Sequence, residues 1–404
     1  MLNRDTLLTS ASGSDDWQAV CAGAITDPAE LCRLLRLAPQ LASAAKQAAA
    51  EFPMLVPRPY VERIRPADPD DPLLRQVLPR MEELAPAPGF SADPLGESAA
   101  GAAQGLLRKY YGRALILATG GCPVHCRFCF RRHVLRAANC APAQCPSLVS
   151  LPSATFSRAA GGFTEQDSVG GALGGKIYRV SGETLSAPRL AGELGVCAQT
   201  EDADVVALPS ELAAAVDLLA ADRSVSEVIL SGGDPLCLAD VQLAALLGRL
   251  RSIGHVRRLR IHTRMPIVVP QRVTDDLVGL LRGTRPPTLV VVHVNHPAEI
   301  DQHVEGALAR LIDAGIPVLS QTVLLRGVND SVESLAGLYD RLADLRVVAY
   351  YLHQLDRVAG AAHFEVPVEA GIKLMTELRT RLPGYAVPRY VRELPGASCK
   401  QLLA

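Results

Sequence analysis

No charge of one sign dominates this sequence: 41 Lys and Arg stand against 42 Asp and Glu in 404 residues, a formal net charge of −1. That balance excludes a basic nucleic-acid binder and an acidic, self-repelling disordered chain. Long hydrophobic runs are also missing. No stretch approaches the roughly 18 apolar residues of a membrane span, and the first residues lack the charged-then-apolar layout of a secretory leader. These absences lead to the expectation of a cytoplasmic protein with neither a membrane nor a nucleic-acid partner. What is present is ample apolar material, since 49% of the residues are hydrophobic, enough for the core of one or two domains. The ten cysteines of such a chain are better explained as free, metal-bound or catalytic thiols than as disulfides.

Two regions differ in rhythm. Residues 1–105 are rich in Ala, Leu and Pro, with helical stretches such as "AELCRLLRLAPQLASAAKQAAAEF", and read as a helical N-terminal region packed on the main domain. From Arg113 onward, within residues 106–404, short β-branched runs alternate with amphipathic helical segments: "RALILAT", "VSEVILSGGDP", "RRLRIHTR", "TLVVVHVNHP", "PVLSQTVLLRG" and "VVAYYLHQLD". Six such alternations predict parallel βα units, hence an α/β barrel, open or closed. Polar residues gather where each run ends, and in a βα barrel those ends face one mouth. Residues 136–208, rich in Gly, Ser and Ala, interrupt the rhythm and read as an insertion within the barrel, mobile or folded as a small flap. Cys140 and Cys145 fall in it and have no matching second pair for a zinc site.

Chemistry concentrates in "GGCPVHCRFCFRRH", residues 120–133, where Cys122, Cys126 and Cys129 follow the first run in C-x3-C-x2-C spacing. Structural zinc takes four ligands, and His125 and His133 do not fit the usual paired spacing. Three thiolates suit instead an iron–sulfur cluster with one iron left open to an external ligand. At the end of the second run, "SGGDP" carries Gly232 and Gly233, which permit close approach of backbone to a ligand, and Asp234.

The cysteine motif resembles the hallmark of the radical S-adenosylmethionine superfamily. Taken with "SGGDPL", "RIHTRMPIVVPQR", "HVNHPAEI", "QTVLLRGVND", "YYLHQLD" and "GYAVPRYVRELPGASCK", the chain from Lys109 to Lys400 resembles the lysine 2,3-aminomutase family. The resemblance implies a partial (β/α)6 radical SAM barrel with three cofactors: a 4Fe–4S cluster on Cys122, Cys126 and Cys129, S-adenosyl-L-methionine, and pyridoxal 5'-phosphate. It implies contacts to S-adenosylmethionine from Gly232, Gly233, Asp234, His293 and Gln321. It further implies that Lys400 forms the Schiff base to pyridoxal phosphate, that Arg113 and Lys109 contact that cofactor, and that Arg131 clamps the carboxylate of an L-lysine substrate. Asp356 and Glu393 would hold the ammonium of the lysine side chain.

Three departures from the free-lysine enzymes resemble the EpmB-type subgroup, which serves modification of elongation factor P. Glu393 stands where those enzymes carry aspartate, His353 where they carry tyrosine, and the sequence stops soon after Lys400. The subgroup implies conversion of L-α-lysine to (R)-β-lysine, a separate ligase that attaches the product to elongation factor P, and a reductant such as flavodoxin or ferredoxin. Two other readings stay open: a free amino acid 2,3-aminomutase making (S)-β-lysine or another β-amino acid, and a non-catalytic iron–sulfur or zinc protein.

Overall fold

The β-branched runs become strands of one sheet. The computed structural model describes residues 16–97, 105–133, 178–180, 183–185, 208–283 and 285–404. The strands are β1 (Leu106–Leu107), β2 (Arg113–Thr119), β3 (Tyr178–Val180), β4 (Glu183–Leu185), β5 (Glu227–Gly232), β6 (Arg258–Thr263), β7 (Thr288–His293), β8 (Val318–Val323), β9 (Val348–His353), β10 (Arg389–Arg392) and β11 (Gln401–Leu402). Nine of them form a sheet in the order β1-β2-β5-β6-β7-β8-β9-β10-β11. The end strands β1 and β11 pair antiparallel with their neighbours, and the seven between them run parallel. The sheet is thus a partial barrel that does not close. The six expected runs are β2 and β5–β9. A seventh parallel strand, β10, adds an edge at which the chain end turns back. Most of residues 136–208 lies outside the described residues, which there comprise only the antiparallel hairpin β3–β4.

A helix follows each of β5–β9 and another, Ser210–Ala221, precedes β5, the covering that a parallel sheet requires. Their starts are written in side chains: Asp301 accepts from the N–H groups of His303 and Val304 to open Gln302–Asp313, and Ser331 accepts from Ser334 N to open Val332–Asp344. Residues 16–97 supply five short helices, and Trp17, Leu31, Tyr60 and Leu74 from them join one apolar core with Ile116, Leu230, Val290 and Leu308 of the barrel. The cysteine loop is fastened to this N-terminal layer by charge. Glu83, fully buried, takes a bidentate pair from Arg127 at 2.9 and 2.6 Å and another bond from Arg132 at 2.6 Å. Burial works against the Glu83 carboxylate, but the two guanidiniums hold it below the usual carboxylate range. Two of the arginines beside the cysteines therefore brace their loop.

Candidate active site

A cavity of ≈ 500 Å³ runs along the inner face of the sheet, and every residue singled out above as a cofactor, substrate or metal contact lines it. It is not confined to the C-terminal strand ends. Cys122, Cys126, Cys129, Asp234 and His293 border one end, and Arg113 and Arg389, at the starts of their strands, reach the other.

At the cysteine end, among the described residues, no three His, Cys, Asp or Glu side chains converge as ligands of a single metal ion. The three thiols are nonetheless close enough that charge on Cys126 raises both its neighbours. Three neighbouring thiols on one loop are a ligand set for a multi-iron cluster that keeps one iron open, whereas structural zinc takes four ligands. Burial pushes all three thiols up, Cys129 to about 11, so they are thiols until a metal replaces their protons. Arg264 donates from Nη1 to the Cys126 sulfur at 2.6 Å, and from Nη2 to Gln76 and Glu299 at 2.8 and 2.9 Å. A hydrogen bond to a ligand sulfur from a buried cation favours thiolate, and the donor set fits the cluster. His125 and His133 turn away, their rings bonded to the carbonyls of Pro53 and Ala359.

"SGGDP" has a structural duty that sequence alone did not reveal. Gly233 N donates to Thr119 O and Asp234 N to Gly121 O, both at 2.7 Å, which ties the end of β5 to the cysteine loop. A Cβ on Gly232 would sit 2.5 Å from Thr119 O, and one on Gly233 would sit 2.0 Å from Gly121 O. The close approach is to this chain's own backbone. Asp234 then joins β5 to β6: Oδ1 accepts from Leu236 N and the Thr263 hydroxyl, and Oδ2 from the N–H groups of Arg264 and Met265. We expect Gly233→Ala to cost about 3 kcal/mol and to lower iron retention after reconstitution, because the clash is with backbone that cannot rotate away. Melting temperature and iron per chain check this, with Gly254→Ala, where a Cβ meets nothing within 4 Å, as the control.

At the far end the β10–β11 hairpin sets the geometry. Its register pairs Arg392 with Gln401, so the next residues inward, Glu393 and Lys400, face each other across the turn. Lys400 Nζ contacts Glu393 Oε2, and Lys109 Nζ lies 3.0 Å from Glu393 Oε1. Burial alone would raise Glu393, but Lys400 and Lys109 hold it at about 2. Asp356 behaves oppositely: burial, with Glu393 adding, pushes it up to about 7. His293, register partner of Gln321 on β8, bonds Asn295 at 3.1 Å, and burial lowers it to about 4. His353 falls to about 3 through burial and Lys400. Arg113 is half exposed, 3.7 Å from Glu227.

Several cavity residues were given no individual role from the sequence: Glu97, Tyr110, Arg260, His262 and Arg264. "HTR" at the end of the third run was a visible signal for two of them. Glu97 had none, because its partner Arg131 lies 34 positions away.

The Radical SAM superfamily matches residues 116–338. The chain is 38% identical over 387 residues to the L-lysine 2,3-aminomutase of Escherichia coli (strain K12), covering 96% of this chain and 94% of that protein. It is 35% identical to the L-lysine 2,3-aminomutase of Haemophilus influenzae over 389 residues, covering 96% of each. Against the L-lysine 2,3-aminomutase of Clostridium subterminale it is 32% identical over 404 residues, 99% of this chain and 81% of that protein.

Proposed function

Because the chain belongs to the lysine 2,3-aminomutase family of the radical SAM superfamily, we propose that it is the isomerase that moves the amino group of L-lysine from the α to the β carbon. The fold implies a 4Fe–4S cluster and S-adenosylmethionine. Pyridoxal phosphate is our addition, and one observation carries it: the cavity lined by the three cysteines is also lined by a lysine, Lys400, set among Lys109, Tyr110 and Glu393. Once bound, the cluster and S-adenosylmethionine supply a radical able to remove an unactivated hydrogen, and pyridoxal phosphate supplies the conjugation through which nitrogen migrates.

The protein's share is to bind, orient and exclude water. Cys122, Cys126 and Cys129 hold the cluster. The wall formed by Gly232, Gly233, Asp234, His293 and Gln321 receives S-adenosylmethionine. His293 and His353 are uncharged at neutral pH and so add no repulsion to a cationic cofactor or substrate. Lys109 and Arg113 suit the cofactor phosphate, and the planar fork of Arg131 suits the substrate carboxylate. Lys400 is the attachment point of pyridoxal phosphate. Asp356 and Glu393 take the side-chain ammonium. Glu393 and His353, in place of aspartate and tyrosine, support assignment to the enzymes that make (R)-β-lysine for elongation factor P, and a cytoplasmic setting with a low-potential reductant follows from that assignment.

Anaerobic turnover of L-lysine by the reconstituted, reduced protein, followed by chiral chromatography, tests this. (R)-β-lysine supports the elongation factor P assignment, the (S) enantiomer replaces it with a free-lysine enzyme, and no β-lysine from a cluster-loaded protein sinks the assignment of L-lysine as substrate.

Asp356 adds a pH signature. Its raised carboxyl is protonated below about 7, whereas a lysine ammonium binds the ionised form, so substrate must displace a proton at lower pH. KM for lysine is expected to rise about tenfold per unit as pH falls below that value, while Glu393, held at about 2, stays ionised throughout. Asp356→Asn should raise KM and flatten this limb of the profile; an unchanged limb would remove Asp356 from the ammonium site.

A further inference from the structure

The fork of Arg131 already holds a carboxylate of this chain. Glu97 accepts from Arg131 Nε at 2.7 Å and from Nη2 at 3.0 Å, a side-on bidentate pair, and its Oε1 also lies 3.1 Å from Lys109 Nζ. Glu97 is only 4% exposed yet stands in the cavity wall. Burial works against its charge, but Arg131 and then Lys109 hold its carboxyl below the usual range. Its own position is fixed, since its backbone N–H donates to Asp93 Oδ1 at 2.9 Å. Arg131 is fixed on its other sides by Ser231 Oγ at 3.0 Å from Nη1, by the Gly232 carbonyl at 3.4 Å, and by the Phe130 ring 4.6 Å away.

A guanidinium has five N–H donors. Glu97 takes the side-on face and Ser231 one Nη1 donor, so the second Nη2 donor has no acceptor among the described residues and Nη1 keeps only its long bond to Gly232. These two nitrogens form the end-on face. Two different anions must be received nearby on the proposed function, a substrate carboxylate at Arg131 and a phosphate at Lys109, and Glu97 touches both cations.

We propose that Glu97 is a positioning residue for substrate recognition: it closes the side-on face of Arg131 to anions, so that the substrate carboxylate can take only the end-on face, in register with the reacting carbons. The inference rests on the aminomutase reading. Without Glu97 the substrate carboxylate gains a second, side-on seat between Arg131 and Lys109, which displaces the α and β carbons from their place.

The test is Glu97→Ala. Because the side-on seat holds lysine with its reacting carbons misplaced on the scale of an ångström, kcat is expected to fall by about a hundredfold and KM to fall with it, as a non-productive pose requires. Formate or acetate, small enough to fill the vacated side-on seat, should raise the turnover of the variant by roughly twofold or more and should leave the wild-type enzyme unaffected. In cofactor-free protein, formate should raise the melting temperature of Glu97→Ala and not that of wild type. Glu97→Gln, which keeps the volume and one acceptor, should show a smaller defect and no formate response. A merely structural ion pair would lower the melting temperature of both variants while leaving KM and formate sensitivity as in wild type, and that result overturns the proposal. If wild-type protein does not turn over lysine at all, the proposed function fails, and the melting response to formate still decides whether Glu97 fills an anion seat.

Discussion

Cys126→Ala is expected to yield a folded protein that retains no iron above background after anaerobic reconstitution and cleaves no S-adenosylmethionine. The argument begins with ligand count. Among the described residues lining the cavity, three thiols stand together on one loop and the fourth, Cys399, sits beside Lys400 in the β10–β11 turn, while one iron must stay open for the external ligand; with two loop thiolates left, the remaining irons have no protein anchor. Cys126 is also the sulfur that receives Arg264 Nη1, so its loss removes a charge-assisted hydrogen bond to the triad. The fold should survive. Arg264 keeps Glu299 and Gln76, and the loop keeps the Glu83 bridge to Arg127 and Arg132, so no buried charge is stranded. Iron and sulfide analysis with visible absorbance reads the first effect, and far-ultraviolet circular dichroism the second. A variant that still carried a full cluster would remove Cys126 from the ligand set.

Much of the scaffold could be read in advance because its signals are local. Runs such as "RALILAT" and "TLVVVHV" carry β-branched residues at strand length, and "QHVEGALARLID" carries a helical period, so alternation is visible within a short window. The cysteine motif is local as well. β10 was not legible in that way, since "RYVR" is short and half charged and becomes a strand only because β9 offers a parallel edge, pairing Tyr390 with Leu352. The facing of Glu393 and Lys400 depends on the hairpin register, which composition does not carry; only the family resemblance pointed to them. The polar net beneath the cysteines joins Gln76, Arg264, Asn295 and Glu299 across as many as 223 positions. Pairings at that separation come from topology and leave no pattern in any single segment. The glycines of "SGGDP" were recognised as sites of close approach, but what they approach, the backbone at Thr119 and Gly121, became visible only in the folded chain.

Lys400→Ala is expected to abolish lysine turnover, to below about a thousandth of the parent rate, while leaving iron content and the reductive cleavage of S-adenosylmethionine intact. The two ends of the cavity explain why the effects separate. The cysteines belong to the loop after β2, braced by Glu83 and Arg264, whereas Lys400 belongs to the β10–β11 turn and touches none of that bracing. Its partners are Glu393 and, through it, Lys109. Removing the ammonium leaves Glu393 with Lys109 as its remaining close cation, so the carboxyl rises from about 2 but remains ionised at neutral pH. Glu393 is then better placed to hold a substrate ammonium than to be neutralised by the chain itself, so lysine binding should outlast catalysis. Pyridoxal phosphate should still enter, through Lys109 and Arg113, but without covalent attachment: borohydride treatment should fix the cofactor to wild-type protein and not to Lys400→Ala. A variant that was still labelled would require another lysine at the cavity, and Lys109 is the one other lysine among the described residues lining it. Labelled wild type beside unlabelled Lys400→Ala, with the cluster intact in both, would tie the pyridoxal assignment to a single side chain.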